Sequence, residues 1–352
     1  MTAHAQQLTL SPQDWRDYRA NLPRHLIGLA RYLQSRLMHS LIDEYGHSGL
    51  RLHFEPYIAL AAPNGIPLGE LADNLRVSRQ AVSQVIKQIE AAGYLKRVPD
   101  PADGRSRRVV LTDRGEELVA DGTRLLADVD SSFASIVGAD TLERFTRGLY
   151  SLYCSAGFPL PPNASNEPAL GWLLPRCSTQ LMKALMDTTR QRGHPGLKIS
   201  FAQVLPLIGP EGGRISDIAR VNEISKQAVS AIAQELEALG YIYREPDPDD
   251  ARQHKLQLTP QGAAMISDAV AATRSLEASF RASVGKKRLL ELKDTASALY
   301  RGLALEAPLF GKELGEQPRD IEQLAKDLLN SLGATDARRL TQRLTALTEI
   351  PA

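Results

Sequence analysis

The feature of this sequence that most limits its possible folds is a duplication at an offset of 147 residues. Gly93-Tyr94-Leu95 returns as Gly240-Tyr241-Ile242, and Pro99-Asp100-Pro101 returns as Pro246-Asp247-Pro248. Between residues 46 and 115, 27 of 70 positions are identical to their partners without a gap. Because the period is as long as a whole domain, we expect two copies of one domain and not a solenoid of short units.

Proline-rich sequence separates the two copies. Four prolines lie between residues 157 and 169, and proline interrupts helices. We therefore expect domains at 1–156 and 170–307, a linker at 157–169, and a C-terminal helical extension at 308–352. Residues 22–155 are called the first repeat below, and residues 170–302 the second repeat.

Composition excludes several classes of protein. The 352 residues are 24% charged and 43% hydrophobic, which is ordinary for a globular chain. We find no secretory signal and no apolar run of about 18 residues that would predict a membrane span. Only Cys154 and Cys177 are present, so no disulfide framework and no thiolate metal cluster is expected. These observations favour a cytoplasmic protein without metal or cofactor, and the absence of catalytic motifs favours a non-enzyme.

The apolar spacing of the first repeat predicts a winged helix-turn-helix. A broad amphipathic helix covers 22–43, a short helix covers 68–74, and Ser78 caps a longer helix that ends near residue 92. Two extended segments, 94–98 and 107–111, enclose a turn-rich loop and predict a two-stranded wing. The expected fold class is therefore mainly α with small two-stranded β wings, in two winged helix-turn-helix domains with helical dimerisation elements.

This layout suggests which side chains read DNA. A helix that enters the major groove presents its N-terminal residues to base edges, and the wing can reach phosphates or the minor groove. In the first repeat the candidates are Ser78, Arg79, Gln80, Ser83, Gln84, Lys87, Arg105, Arg107 and Arg108. In the second repeat they are Ser225, Lys226, Gln227, Ser230, Arg252, His254 and Lys255.

Local charge separates the two repeats, although the whole chain has a formal net charge of only +1. Residues 76–115 carry nine basic and four acidic side chains, a local excess of +5. Residues 223–262 carry four basic and seven acidic side chains, a balance of −3. The second repeat therefore attracts phosphate less, and it either reads a half-site more weakly or has become partly structural.

The motifs together resemble the MarR family of regulators. The resemblance rests on Ser78-Arg79-Gln80-Ala81-Val82-Ser83, Gly93-Tyr94-Leu95, the wing Asp100-Pro101-Ala102-Asp103-Gly104-Arg105, and Leu111-Thr112 before Gly115. It implies an obligate dimer of mostly helical protomers, with winged helices that face successive major grooves. It also implies a small ligand, often a phenolic anion, near Trp15, Tyr18, His25 and Tyr32. This chain departs from the family pattern because it contains two copies.

We therefore expect a repressor-type regulator that binds a double-stranded DNA operator through an intrachain pseudo-dimer and is released by a small aromatic or phenolic effector. A homodimer of whole chains is the alternative assembly. Two other functions stay open. The chain could be a ligand- or protein-binding module with degenerate DNA binding, or a thiol-based redox sensor that acts through Cys177.

Overall fold

The computed structural model describes residues 10–101, 106–158, 169–209, 212–222, 224–247 and 254–305. They belong to one compact unit that ends at Leu305. Several predicted features lie outside the described residues: Arg105, Arg252, residues 159–168 of the predicted linker, and the whole predicted C-terminal extension. The division into domains stays a prediction. Among the described helices, none is long and apolar enough to cross a membrane.

The first repeat and the segment before it are built mainly of helices. These helices are α1 (Pro12–Arg19), α2 (Leu22–His39), α3 (Glu55–Ala61), α4 (Leu68–Leu75), α5 (Arg79–Ala91), α6 (Asp113–Val137) and α7 (Ala139–Ser155). A π-helical turn at Ser40–Glu44 follows α2, and a 3₁₀ turn at Leu52–Phe54 precedes α3. Side-chain caps fix several helix starts; Asn21 accepts from the Arg24 N–H at 2.9 Å at the start of α2.

The second repeat follows the same order, but its first helix continues through the positions of the π-helical turn, and α3 has no full counterpart. Its helices are α8 (Leu170–Gln191), α9 (Ile215–Asn222), α10 (Lys226–Ala238), α11 (Pro260–Val284) and α12 (Lys286–Gly302). At the position of α3 it has two 3₁₀ turns, Ile199–Gln203 and Leu205–Leu207. Pro206 occupies the place of Ala59 there, and its missing N–H and its ring disfavour an α-helix at this position.

Each winged helix contains a three-stranded sheet. The strands are β1 (Ile66–Pro67), β2 (Leu95–Pro99), β3 (Arg107–Leu111), β4 (Gly213–Arg214), β5 (Ile242–Pro246) and β6 (His254–Leu258). All pairs are antiparallel, in the orders β1-β3-β2 and β4-β6-β5. The expected fold class is confirmed, but the two-stranded wing was incomplete. A strand of two residues has no alternation to detect, and its position is set by the pairing of Ile66 with Val109.

One hydrophobic core is shared by the two repeats. Helices α2 and α8 pack against each other, α12 packs against α2, and α11 packs against α8 and α7. The first repeat contributes buried Leu26, Leu29 and Phe133, and the second contributes buried Leu173 and Leu299. A separate core fills the first winged helix around Ile86, Tyr94 and Val109. The shared core therefore holds two winged helices in one body.

One aromatic contact between the repeats occurs as a reciprocal pair. The ring of His25 on α2 stacks on Tyr300 of α12, with centroids 4.8 Å apart. At the positions offset by 147 residues, Trp172 on α8 meets Tyr153 of α7, with centroids 6.1 Å apart. When residue i contacts j and the equivalent of j contacts the equivalent of i, the interface has the pattern of a two-fold dimer. These two ring contacts are thus equivalent under the duplication.

Candidate nucleic-acid interface

Helix α5 presents an exposed polar face that begins at its N-cap. The Ser78 side chain accepts a hydrogen bond from the Ala81 N–H at 3.2 Å, which starts the helix in the way expected from the sequence. The predicted side chains on this helix are exposed, except that Ser83 is half-buried: Ser78, Arg79, Gln80, Ser83, Gln84 and Lys87. Gln80, Gln84 and Lys87 are spaced for one face of a helix. This face is free of the protein core.

The opposite side of α5 is anchored. Val82, Ile86 and Ile89 are fully buried, so the helix cannot rotate about its axis without exposing them. The Arg97 guanidinium on β2 donates to the Ser83 carbonyl at 3.1 Å and lies 3.5 Å from the Glu90 carboxylate. We call these contacts of Arg97 with Ser83 and Glu90 the brace, and we call α5 and its counterpart α10 the reading helices. The brace connects β2 of the wing to α5. Sequence reasoning missed it.

An equivalent brace is present in the second repeat. Arg244 Nε donates to Glu237 at 3.0 Å, and its Nη2 donates to the Ser230 carbonyl at 3.4 Å. Both the arginine and the glutamate are identical at the offset of 147 residues. Identity of a charged pair across the duplication was the signal that could have found the brace.

In the first wing, Arg107 and Arg108 have different surroundings. Arg107 is exposed at the start of β3, next to the tip of the wing. Arg108 is half-buried, and its Nη2 donates to the Asn64 and Gly65 carbonyls at 3.0 Å each. Arg107 is therefore available to a ligand, whereas the Arg108 guanidinium already holds a loop. The DNA contact of Arg107 stays a prediction, these hydrogen bonds disfavour the predicted DNA contact of Arg108, and Arg105 lies outside the described residues.

The second reading helix has the same cap but a less charged face. Ser225 accepts from the Ala228 N–H at 3.1 Å, and Lys226 and Gln227 are exposed. Ser230 is half-buried, as is Ser83 in the first repeat. Exposed Ala231 and Gln234 replace the glutamine and lysine of the first repeat. The geometry of the reading helix is kept, but one of its cations is lost.

The second wing has a basic side chain turned inward. Lys255 Nζ lies 3.8 Å from the carboxylate of Asp247, which is fully buried and also pairs with Arg214. Arg214 stands where the first repeat has Pro67, so the pairing of this carboxylate with Arg214 is specific to the second repeat. His254 is exposed at the position of Arg107, and Arg252 lies outside the described residues. The described part of this wing therefore offers less charge to phosphate than the first wing.

The predicted ligand residues occupy separate packing positions. Trp15 is buried, with the Arg19 guanidinium 4.7 Å from its ring centroid and the Tyr18 ring at 6.2 Å. Burial raises the pKa of Tyr18 to about 12. Tyr32 lies beside Phe133 with centroids 6.3 Å apart, and His25 stacks between the repeats. The contacts explain each ring as a packing residue, and ligand binding by the four stays a prediction.

His25 predicts a specific dependence of stability on pH. Burial, followed by the positive charges of Arg24, Arg301 and Lys293, lowers the pKa of His25 to about 4. The unfolded chain takes up this proton near pH 6.5, whereas the folded chain does not. The free energy of unfolding should therefore fall as the pH decreases from about 6.5 to about 4, by about 3 kcal/mol from this residue.

Urea unfolding of a His25→Phe variant at pH 7.5, 5.5 and 4.5 checks this prediction. The variant should lose less stability on acidification than the original chain. A His53→Phe variant, which changes an exposed histidine, is the control and should follow the original chain. Parallel pH profiles for the original chain and His25→Phe would contradict the burial argument.

A surface groove offers a place where a small molecule could be sought. A groove of about 400 Å³ lies between α7 and α12, lined by charged side chains that include Arg144, Arg147, Glu291 and Asp294. It contains none of the predicted ligand residues.

Burial raises the pKa of the Cys177 thiol, and a protonated buried thiol is a poor nucleophile. This environment disfavours the redox-sensor alternative.

Comparison with known proteins identifies the same two regions. The sequence profile described as MarR family matches residues 57–106 and 202–253, so each match contains one reading helix. A segment of 63 residues is 41% identical to the transcriptional activatory protein BadR of Rhodopseudomonas palustris, over 17% of this chain and 36% of BadR. The crystal structure of transcriptional regulator Tm0710 from Thermotoga maritima is similar with a TM-score of 0.30 and 21% identity, over 37% of this chain and 95% of that chain. The chain thus matches little more than a third of BadR.

Proposed function

We propose, from the two segments that match the MarR family, that this chain is a DNA-binding transcription regulator of that family whose repeats act as an intrachain pseudo-dimer. The observation that carries the proposal is the exposed face of α5. Arg79 and Gln80 stand at the N-terminal end of a capped helix, where a reading helix meets base edges. Their side chains are the ones that read guanine and adenine with two hydrogen bonds.

The pseudo-dimer part of the proposal is supported by the shared core. Leu26 and Leu173, which occupy equivalent positions in α2 and α8, are both fully buried in it. Polar contacts join the repeats as well, since Glu277 on α11 accepts the Leu22 N–H at 3.2 Å and Arg176 on α8 lies 3.5 Å from Glu55. One chain of this kind presents two winged helices without a partner chain.

The operator is proposed to be asymmetric. The first repeat offers exposed Arg79, Lys87 and Arg107, whereas the second offers Lys226 and turns Lys255 toward a buried carboxylate. Electrostatic attraction to phosphate grows with the number of cations at the interface. The first repeat should therefore supply most of the affinity, and the second should read its half-site weakly.

Repression and release by an aromatic or phenolic effector stay predictions from the resemblance. The name of BadR describes an activator, so the direction of regulation needs its own measurement. A reporter gene placed behind the operator, with and without the regulator, gives that direction.

Arg107→Ala tests the DNA-binding proposal. The variant should bind a duplex selected from random DNA more weakly at every sequence, and the slope of log K against log salt should become shallower by about 1. Fluorescence anisotropy between 50 and 200 mM salt, roughly the range over which such contacts are screened, measures both quantities. Arg108→Ala is the matched control. Its guanidinium holds the Asn64 and Gly65 carbonyls, so its loss should lower stability and leave the salt slope unchanged.

Two results would contradict the proposal. A chain that binds no duplex even at low ionic strength is not a DNA-binding regulator. A chain that binds DNA, but whose salt slope does not change when Arg107 is replaced by alanine, does not use this wing.

A further inference from the structure

A buried histidine joins three parts of the first repeat. His47 lies in the loop after the π-helical turn, and its Nε2 is 2.9 Å from the Asp121 carboxylate on α6. Its ring lies 5.8 Å from the ring of Tyr94, which follows Ala92, the C-cap of α5, by two residues. The side chains of His47 and Asp121 are only 4% and 11% exposed. We call His47, Tyr94 and Asp121, with their equivalents in the second repeat, the junction cluster.

The second repeat contains the same cluster. His194 Nε2 is 3.0 Å from the Asp268 carboxylate on α11, and His194 Nδ1 is 3.1 Å from the Tyr241 hydroxyl. The two rings have centroids 5.7 Å apart. Each residue is identical to its partner at the offset of 147 residues. The same three residues and the same His–Asp contact thus occur twice in one molecule, although the tyrosine hydroxyl contacts the Ser48 carbonyl in the first repeat and His194 in the second.

The cluster has been kept although its neighbours have changed. Each aspartate also pairs with an arginine, but that arginine comes from different positions. Arg124 on α6 pairs with Asp121, whereas Arg192, from the end of α8, lies 3.7 Å from Asp268. The position equivalent to Arg124 is Ala271, which has no charge. A contact that is restored by a different residue indicates a requirement on the contact itself.

The position of the cluster explains what that requirement is. Helix α6 begins directly after the wing and reaches Phe133 in the shared core, so it connects the winged helix to that core. Tyr94 follows the reading helix, and its hydroxyl donates to the Ser48 carbonyl at 3.1 Å beside His47. The cluster therefore fixes the C-terminal end of α5 to α6. Breaking these contacts would leave buried polar groups unpaired, so the arrangement in which α5 is fixed to α6 is strongly preferred.

We infer that the junction cluster is a positioning device that sets the angle of each reading helix relative to the shared core, and through it the half-site spacing that the two helices accept. The inference rests on the proposed DNA-binding function. A protein with two reading helices on one core prefers one distance between half-sites, because adding or removing one base pair rotates a half-site by about 35° around the duplex. A looser junction accommodates that rotation at less cost.

The test compares spacing preference and not affinity alone. The selected duplex is prepared with its half-sites moved by −1, 0 and +1 base pair, and dissociation constants are measured for the original chain, His47→Gln and Asp121→Asn. In the variants, the ratio between the worst and best spacing should fall by about three- to tenfold, the order expected when a buried hydrogen bond no longer holds one geometry. His53→Gln is the control, because His53 is exposed and outside the cluster.

Each outcome is decisive. An unchanged spacing ratio in both variants, even with lower thermal stability, assigns the cluster to folding alone and overturns the inference. If His47→Gln fails to fold, Asp121→Asn carries the same test, because the amide keeps the shape of the carboxylate. If the original chain binds no duplex, the proposed function fails. If it binds with a spacing preference that the variants share, only this inference fails.

Discussion

Replacing Arg79 with alanine is expected to raise the dissociation constant of the selected duplex by about 5- to 150-fold, the effect of one lost bidentate contact to a base. Arg79 is exposed at the first position of α5, where the capped N-terminus faces outward. Because the contact reads a base, the loss should be largest on the preferred sequence, and discrimination at one operator position should be relaxed. Anisotropy titrations on the selected duplex and on single-base variants of it measure both effects.

Lys226→Ala is the matched change in the second repeat and should cost only about two- to fivefold, since an ammonium contacts phosphate as a point charge without the arginine fork. Lys226 occupies the same first position of α10 and is equally exposed. Scrambling the first half-site should then cost more affinity than scrambling the second. Equal losses from the two substitutions, or from the two half-sites, would contradict the asymmetric operator.

Gly115→Ala is expected to lower the free energy of unfolding by about 3 kcal/mol. A Cβ at this position would overlap the carbonyl oxygen of Tyr94. That backbone cannot move aside, because the Thr112 N–H donates to the same carbonyl at 3.1 Å and the Thr112 hydroxyl donates to the Gly93 carbonyl at 2.6 Å. Gly262 has the same relation to Tyr241, so Gly262→Ala should have a similar effect.

Gly122→Ala is the control within the same helix. A Cβ there has nothing within 4 Å, so alanine should be neutral or stabilise the helix by up to about 1 kcal/mol. Urea unfolding of the variants measures the difference. If Gly115→Ala were as stable as Gly122→Ala, the close approach of α6 to the end of α5 would be wrong.

The local outline of the winged helix was predictable from single residues. Ser78 caps α5 at the expected position, because a cap needs only its own side chain and a nearby N–H. Ser225 caps α10 in the same way. The internal duplication then assigned the same outline to the second repeat. Local chemistry and a period of 147 residues were sufficient for this level of structure.

The surroundings of individual charges were not predictable, because they depend on contacts between distant segments. Arg107 and Arg108 are neighbours with the same side chain, yet only the Arg108 guanidinium donates to the carbonyl of the distant residue Asn64. Lys255 likewise turns toward Asp247, which also pairs with Arg214 from a separate strand. The third strand of each sheet was missed for the same reason.

The junction cluster shows how the duplication could have been used further. The identity of His47 with His194 at the offset of 147 residues was visible in the sequence. The partner Asp121 is 74 residues away, so no local pattern connects the two. Polar residues that are identical across a duplication are good candidates for such buried contacts.

The central claim is that one chain holds two reading helices on a shared core and occupies both half-sites of its operator. Light scattering of the complex with a duplex that contains both half-sites, coupled to size-exclusion chromatography, gives the number of chains on each duplex. An intrachain pseudo-dimer predicts one chain of 38.5 kDa per duplex. Two chains per duplex would contradict the intrachain pseudo-dimer.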